Sequence, residues 1–114
     1  MVRFRVGGWD VDLFVAKSDY DRECLSRALL VDVDGQPARV VTAEDLLIHK
    51  MIKLRTDRRR LLQDLADLKA VIAARGTQLD WTYIDRWLPA GESALIHSVA
   101  GATDEELARR FLTP

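Results

Sequence analysis

The 114-residue chain has one cysteine, two histidines and three prolines, and none of its apolar runs approaches the roughly 20 residues needed to span a bilayer. A lone Cys24 excludes an internal disulfide. With no second cysteine or histidine at ligand spacing, it reads as a small core residue. The opening MVRFRVGG lacks the apolar core of a signal peptide, so the expected address is the cytoplasm, with no membrane partner. A net charge of −1 removes any global pull toward nucleic acid, leaving such binding to a local patch. No internal repeat or low-complexity linker interrupts the chain. Its 48% hydrophobic and 31% charged content fits one globular domain over residues 1–114.

What is present is ordered as strands first and helices afterwards. Val2, Phe4 and Val6 alternate with Arg3 and Arg5, Gly7-Gly8 offers a tight turn, and Trp9, Val11, Leu13 and Val15 alternate again. Residues 2–15 therefore read as a hairpin. Ser18 with Asp21 forms a capping-box pattern opening a helix over about residues 19–28. A second hairpin turns at Asp34-Gly35. Thr42 with Asp45 opens a helix through Leu54, and Leu61, Leu65, Leu68 and Ile72 mark another that Gly76 stops. Asp80 caps a short helix with Trp81, Ile84 and Trp87, ended by Pro89, and Thr103 with Glu106 caps a last one. The expected class is α+β: two hairpins in a small mixed or antiparallel sheet (1–41), a helical part (42–88) and C-terminal helices (89–114) loosely attached through a loop at 89–91.

Four features invite chemistry. Asp10 and Asp12 share one face of a strand, where aspartate is depleted, and either a divalent metal or a wet sheet edge explains them. Lys50 has Leu46, Leu47 and Leu54 as its helical neighbours, so it either snorkels or holds an ammonium in a cleft. Asp64 falls between Leu68 and Val71 on its helical wheel and edges the core, whereas Asp67 lies further out. A partly buried Asp64 needs a partner, and Lys50 is a natural one. Finally, KLRTDRRR (53–60) sets five basic residues around one acid, with Arg58, Arg59 and Arg60 at a helix start where positive charge opposes the dipole. A polyanion contact and a solvated loop both fit that stretch. His49 and His97 read as surface or satisfied histidines.

The segments VDLFVA, SDYDRECLSRA, VVTAEDLLIHKMIKLR and QDLADLKAVI, within residues 9–75, resemble the C-terminal part of the nucleotidyltransferase superfamily of polymerase-β-like fold, especially abortive-infection toxin-type members. The resemblance implies Asp12 as a catalytic carboxylate, Lys50 in the nucleotide pocket and Asp64 as the acid of the following helix. Together with the residue reading this makes Asp12 and Asp10 the candidates for Mg²⁺ or Mn²⁺, and Lys50, Arg55 and Arg58 the candidates for facing the nucleotide. The activity implied is metal-dependent transfer of a nucleotide from an NTP to an RNA or protein acceptor. Two departures stand beside it: no Gly-Ser helix start or first Asp-x-Asp strand precedes Val2, and Gln63 occupies a position commonly basic.

The chain is therefore expected to be a truncated or degenerate nucleotidyltransferase-like domain that by itself binds Mg²⁺-NTP weakly or not at all and transfers no nucleotide, or one subunit of a split enzyme. A non-catalytic protein-interaction or antitoxin-like module is the alternative, suggested by the aromatic helices of 81–111. Open hairpin edges predict a homo-oligomer or a partner chain there.

Overall fold

The computed structural model describes residues 2–112. Among these, β1 (Val2–Val6), β2 (Trp9–Leu13), α1 (Asp19–Arg27), β3 (Leu29–Val33), β4 (Gln36–Val40), α2 (Ala43–Thr56), α3 (Leu61–Arg75), α4 (Trp81–Trp87), α5 (Ala90–Gly101) and α6 (Asp104–Leu112) follow one another, an α+β order. Met1, Thr113 and Pro114, the ends of the expected 1–114 domain, lie outside the described residues.

Both hairpins close on two-residue turns with positive φ at each central residue: 55° and 84° at Gly7 and Gly8, 50° and 82° at Asp34 and Gly35. That geometry matches the twist of the flanking strands and fixes register. Val6 then stands opposite Trp9, Arg5 opposite Asp10 and Arg3 opposite Asp12. In the second hairpin Val33 faces Gln36 and Asp32 faces Pro37. The pair beside such a turn is hydrogen-bonded and its neighbour is not, so the Pro37 nitrogen points away from β3 and its missing N–H costs that ladder nothing. The hairpins do not merge into one small sheet; each remains a separate two-stranded antiparallel sheet.

Side chains and backbone cap the helices as their sequences suggest. Ser18 Oγ accepts from Asp21 N–H, while the Asp21 carboxylate accepts from the Ser18 and Lys17 N–H groups. The side chains of Thr42, Asp80 and Thr103 likewise accept from the N–H three residues on, capping α2, α4 and α6. The expected loop at 89–91 is instead a helix start: Ser93 N–H donates to Pro89 O, and Ala90 and Gly91 form the first turn of α5. Proline has no N–H to continue α4, and at the start of α5, where N–H groups have no intrahelical partner, the missing donor costs no helical bond.

Nor is the C-terminal pair loosely held. Ile96 and Val99 of α5 are fully buried, together with Leu47 and Ile48 of α2, Leu65 and Leu68 of α3, and Ile84 of α4. Tyr20 and Cys24 bring α1 into this helical core. The hairpins contribute almost nothing to it. Each is too narrow to cover its own apolar face, which stays open.

Candidate functional site

After the turn at residues 57–60, α3 packs back along α2, which sets its first carboxylates against α2's cations. Lys50 Nζ lies 3.1 Å from Asp64 Oδ1 and 2.8 Å from Asp67 Oδ2, and Lys53 Nζ lies 3.3 Å from Asp64 Oδ2. Asp64 is 1% exposed, so the expected edge-of-core carboxylate is a buried one. Both lysines approach it from the more exposed side, and the two cations balance the two anions. Burial works against the Lys50 ammonium, but hydrogen bonds to Asp67 and Asp64 outweigh it and raise its pKa. Lys50, and secondly the Gln63 amide, hold Asp67 below the ordinary carboxylate range.

Asp10 and Asp12 have cross-strand partners. Arg3 meets Asp12 as a fork, Nε to Oδ1 at 2.6 Å and a terminal nitrogen to Oδ2 at 3.0 Å. Arg5 lies 3.2 Å from Asp10. Both pairs occupy non-hydrogen-bonded positions of the ladder, where opposing side chains approach most closely. The Arg3 hydrogen bond holds the Asp12 carboxyl below its usual range, and the Lys53 charge adds to that. Hairpin 1 thus brings Asp12 into the electrostatic reach of Lys53, which also touches Asp64.

A divalent cation does not fit this arrangement as it stands. Both Asp12 oxygens already accept from a guanidinium, and among the described residues no group of three or more His, Cys, Asp or Glu side chains is placed to hold a metal.

The basic stretch is largely occupied within the chain. Arg55 forms a two-pronged pair with Glu92 of α5, beside a cleft of about 290 Å³ floored by Met51, Leu54, Leu61 and Leu95. Arg58 donates to the Leu54 carbonyl, closing the end of α2, and Arg59 pairs with Asp57, whose pKa it lowers. Arg60 is the N-cap residue of α3 and supplies no side-chain cap.

Sequence reading missed three constellations. Asp45, recognised only as a cap, is fully buried and accepts from the phenols of Tyr20 at 2.8 Å and Tyr83 at 2.6 Å. Burial, then Asp45, pushes both phenol pKa values far up. Arg27 covers the Tyr83 ring at 3.7 Å. Cys24 Sγ lies 3.4 Å from His49 Nε2, and burial raises the thiol pKa, which keeps it protonated. Asp85 accepts from Ser93 and lies 3.0 Å from His97, whose ring stacks on Trp81. Two tyrosines at core positions of helices were the available signal for the first; partners 25 and 38 residues distant gave none.

Compared with family models, curated proteins and solved structures, the chain matches none.

Proposed function

We propose that this chain is a nucleotidyltransferase-like domain that contributes to transfer of a nucleotide from an NTP to an RNA or protein acceptor when further residues complete its metal and phosphate sites. One observation carries the reading. Lys50 lies 3.1 Å from the buried Asp64, so two of the three residues that the resemblance assigns to catalysis form one ion pair. Lys50, held by Asp64 and Asp67, positions that acidic pair on α3. Arg60 and its neighbours add positive charge at the same helix junction.

In this reading the chain by itself leaves transfer incomplete, because Arg3 and Arg5 occupy the carboxylates and Arg55 is engaged by Glu92. The test is incubation of the purified chain with labelled NTPs, Mg²⁺ or Mn²⁺ and pooled RNA or protein acceptors, alone and after mixing with a chain that supplies a Gly-Ser helix start and an Asp-x-Asp strand. Transfer only in the mixture, lost in Asp12→Ala and Lys50→Ala, supports the reading. Silence in both arms with all folded variants, or transfer that survives both substitutions, counts against it.

A non-catalytic interaction module is the second reading, favoured by the open apolar faces of both hairpins, where Phe4 is 40% and Trp9 77% exposed.

A further inference from the structure

The first hairpin sorts its residues completely by face. The register sets Val2 opposite Leu13, Phe4 opposite Val11 and Val6 opposite Trp9, so all six point one way. Their other side carries the two arginine–aspartate pairs. Five of the six are 40 to 77% exposed among the described residues. An isolated two-stranded hairpin is marginal in water, so a face of this kind needs a cover.

We propose that two copies of the chain stack these faces on each other about a two-fold axis passing near Phe4 and Val11. Three observations select a second copy as the occupant. The first is size. The open apolar face is on the order of 600 Å², the upper end of what an ordinary monomer leaves bare. Two such faces together bury on the order of 1,200 Å², where specific interfaces begin.

The second is charge. Arg3, Arg5, Asp10 and Asp12 are satisfied within the hairpin, so the apolar face calls for an uncharged counterpart, and an identical face is one.

The third is the edges. Antiparallel pairing of β1 with β1 of a copy, centred on Phe4, sets Arg3 opposite Arg5. Pairing β2 with β2, centred on Val11, sets Asp10 opposite Asp12. Like charges directly opposite destabilise a ladder, which disfavours symmetric edge pairing and leaves the faces as the symmetric contact. Stacked sheets lie about 10 Å apart, a spacing that Phe4 and Trp9 fill. This inference is independent of the nucleotidyltransferase reading.

The test is sedimentation equilibrium of the full chain from low to high micromolar concentration. A concentration-dependent dimer is expected. Phe4→Lys and Trp9→Lys should each raise its dissociation constant at least about tenfold. Both should leave helical circular dichroism unchanged, because these side chains lie outside the helical core. Val33→Lys, on the apolar face of the second hairpin, should behave as wild type. A short bis-maleimide should join Val11→Cys copies, and should not join Arg5→Cys copies on the reverse face. Cys24, 4% exposed, stays out of the reaction. A monomer throughout the range, an assembly larger than a dimer, a dimer indifferent to both lysines, or cross-linking through Arg5→Cys instead of Val11→Cys overturns the proposal.

Discussion

Arg3 grips both carboxylate oxygens of Asp12 across the β1–β2 ladder, and the grip determines what the Asp-x-Asp pair of β2 is free to do. Arg3 keeps 60% and Asp12 31% of its side-chain surface exposed, so the contact is easily exchanged and contributes little to stability. Replacing both Arg3 and Arg5 by alanine should release Asp12 and Asp10. Mn²⁺ binding, followed by the loss of its free-ion paramagnetic resonance signal, should then tighten severalfold over wild type. Equal binding by the two proteins would show that these carboxylates are not what limits the metal.

Asp45 should be the least replaceable acid in the chain. It is fully buried and accepts from two phenols and from its own cap threonine. Asp45→Ala leaves both hydroxyls without their carboxylate acceptor and should cost about 3 kcal/mol or more in urea unfolding. Asp45→Asn keeps an acceptor oxygen and should cost clearly less. Equal losses would mean that the carboxylate's charge, not its geometry, carries the network.

The Lys50–Asp64 pair predicts a coupling. Lys50→Met leaves Asp64 to Lys53 alone and should destabilise by about 2 kcal/mol. Asp64→Leu strands Lys50 on Asp67. The double variant should be more stable than the sum of the singles by about 1 kcal/mol or more, since one change removes the cause of the other's penalty. Strict additivity in chemical denaturation would deny the pair any energetic role.

Stability should fall at both ends of the pH scale, for opposite reasons. Tyr20 and Tyr83 hold their protons more tightly folded than unfolded, so their contribution is complete below the ordinary phenol value of 10.0 and declines as pH rises above it. Tyrosinate absorbance should therefore lag behind that of free tyrosine and appear together with unfolding. Asp67 and Asp21 have depressed values, so what they contribute is present above the ordinary value of 3.8 and is lost as pH falls through their folded ones. In Asp67→Asn the acid limb should be shallower. An unchanged limb would remove Asp67 from that account.

Hydrogen exchange should divide the molecule. Amides of α2 and α3 near Leu47, Ile48, Leu65 and Leu68 lie in the core and should exchange slowest. Those of the hairpins, in dilute solution, should exchange orders of magnitude faster. Uniform protection would mean that the hairpins are bound to the helical core more firmly than their exposure implies.

Much of this architecture can be read locally. Gly7-Gly8 and Asp34-Gly35 announce their turns, four capping patterns mark helix starts, and the 100° step of the helical wheel places Asp64 beside the core and directs it toward Lys50. The arginine partners of Asp10 and Asp12 are legible too, because a two-residue turn at Gly7-Gly8 sets Arg5 opposite Asp10. Reading β2 as an isolated strand leaves a metal in contention. Contacts decided by tertiary packing are different. Nothing near Asp45 in the sequence predicts Tyr20 and Tyr83, and nothing near Arg55 predicts Glu92. Pro89 is ambiguous in itself, since the same ring ends α4 and begins α5.

Pro37 sets a limit on growth. With its nitrogen turned outward and carrying no hydrogen, the free margin of β4 has one rung at which an arriving strand finds no donor. In the language of polymerisation the second hairpin is a chain stopper: it can be added to along β3 but resists propagation beyond β4. Five-residue strands as bare as these would otherwise be templates for fibres. A proline on one outer margin, and opposed like charges wherever the other hairpin pairs with itself symmetrically, restrict strand addition.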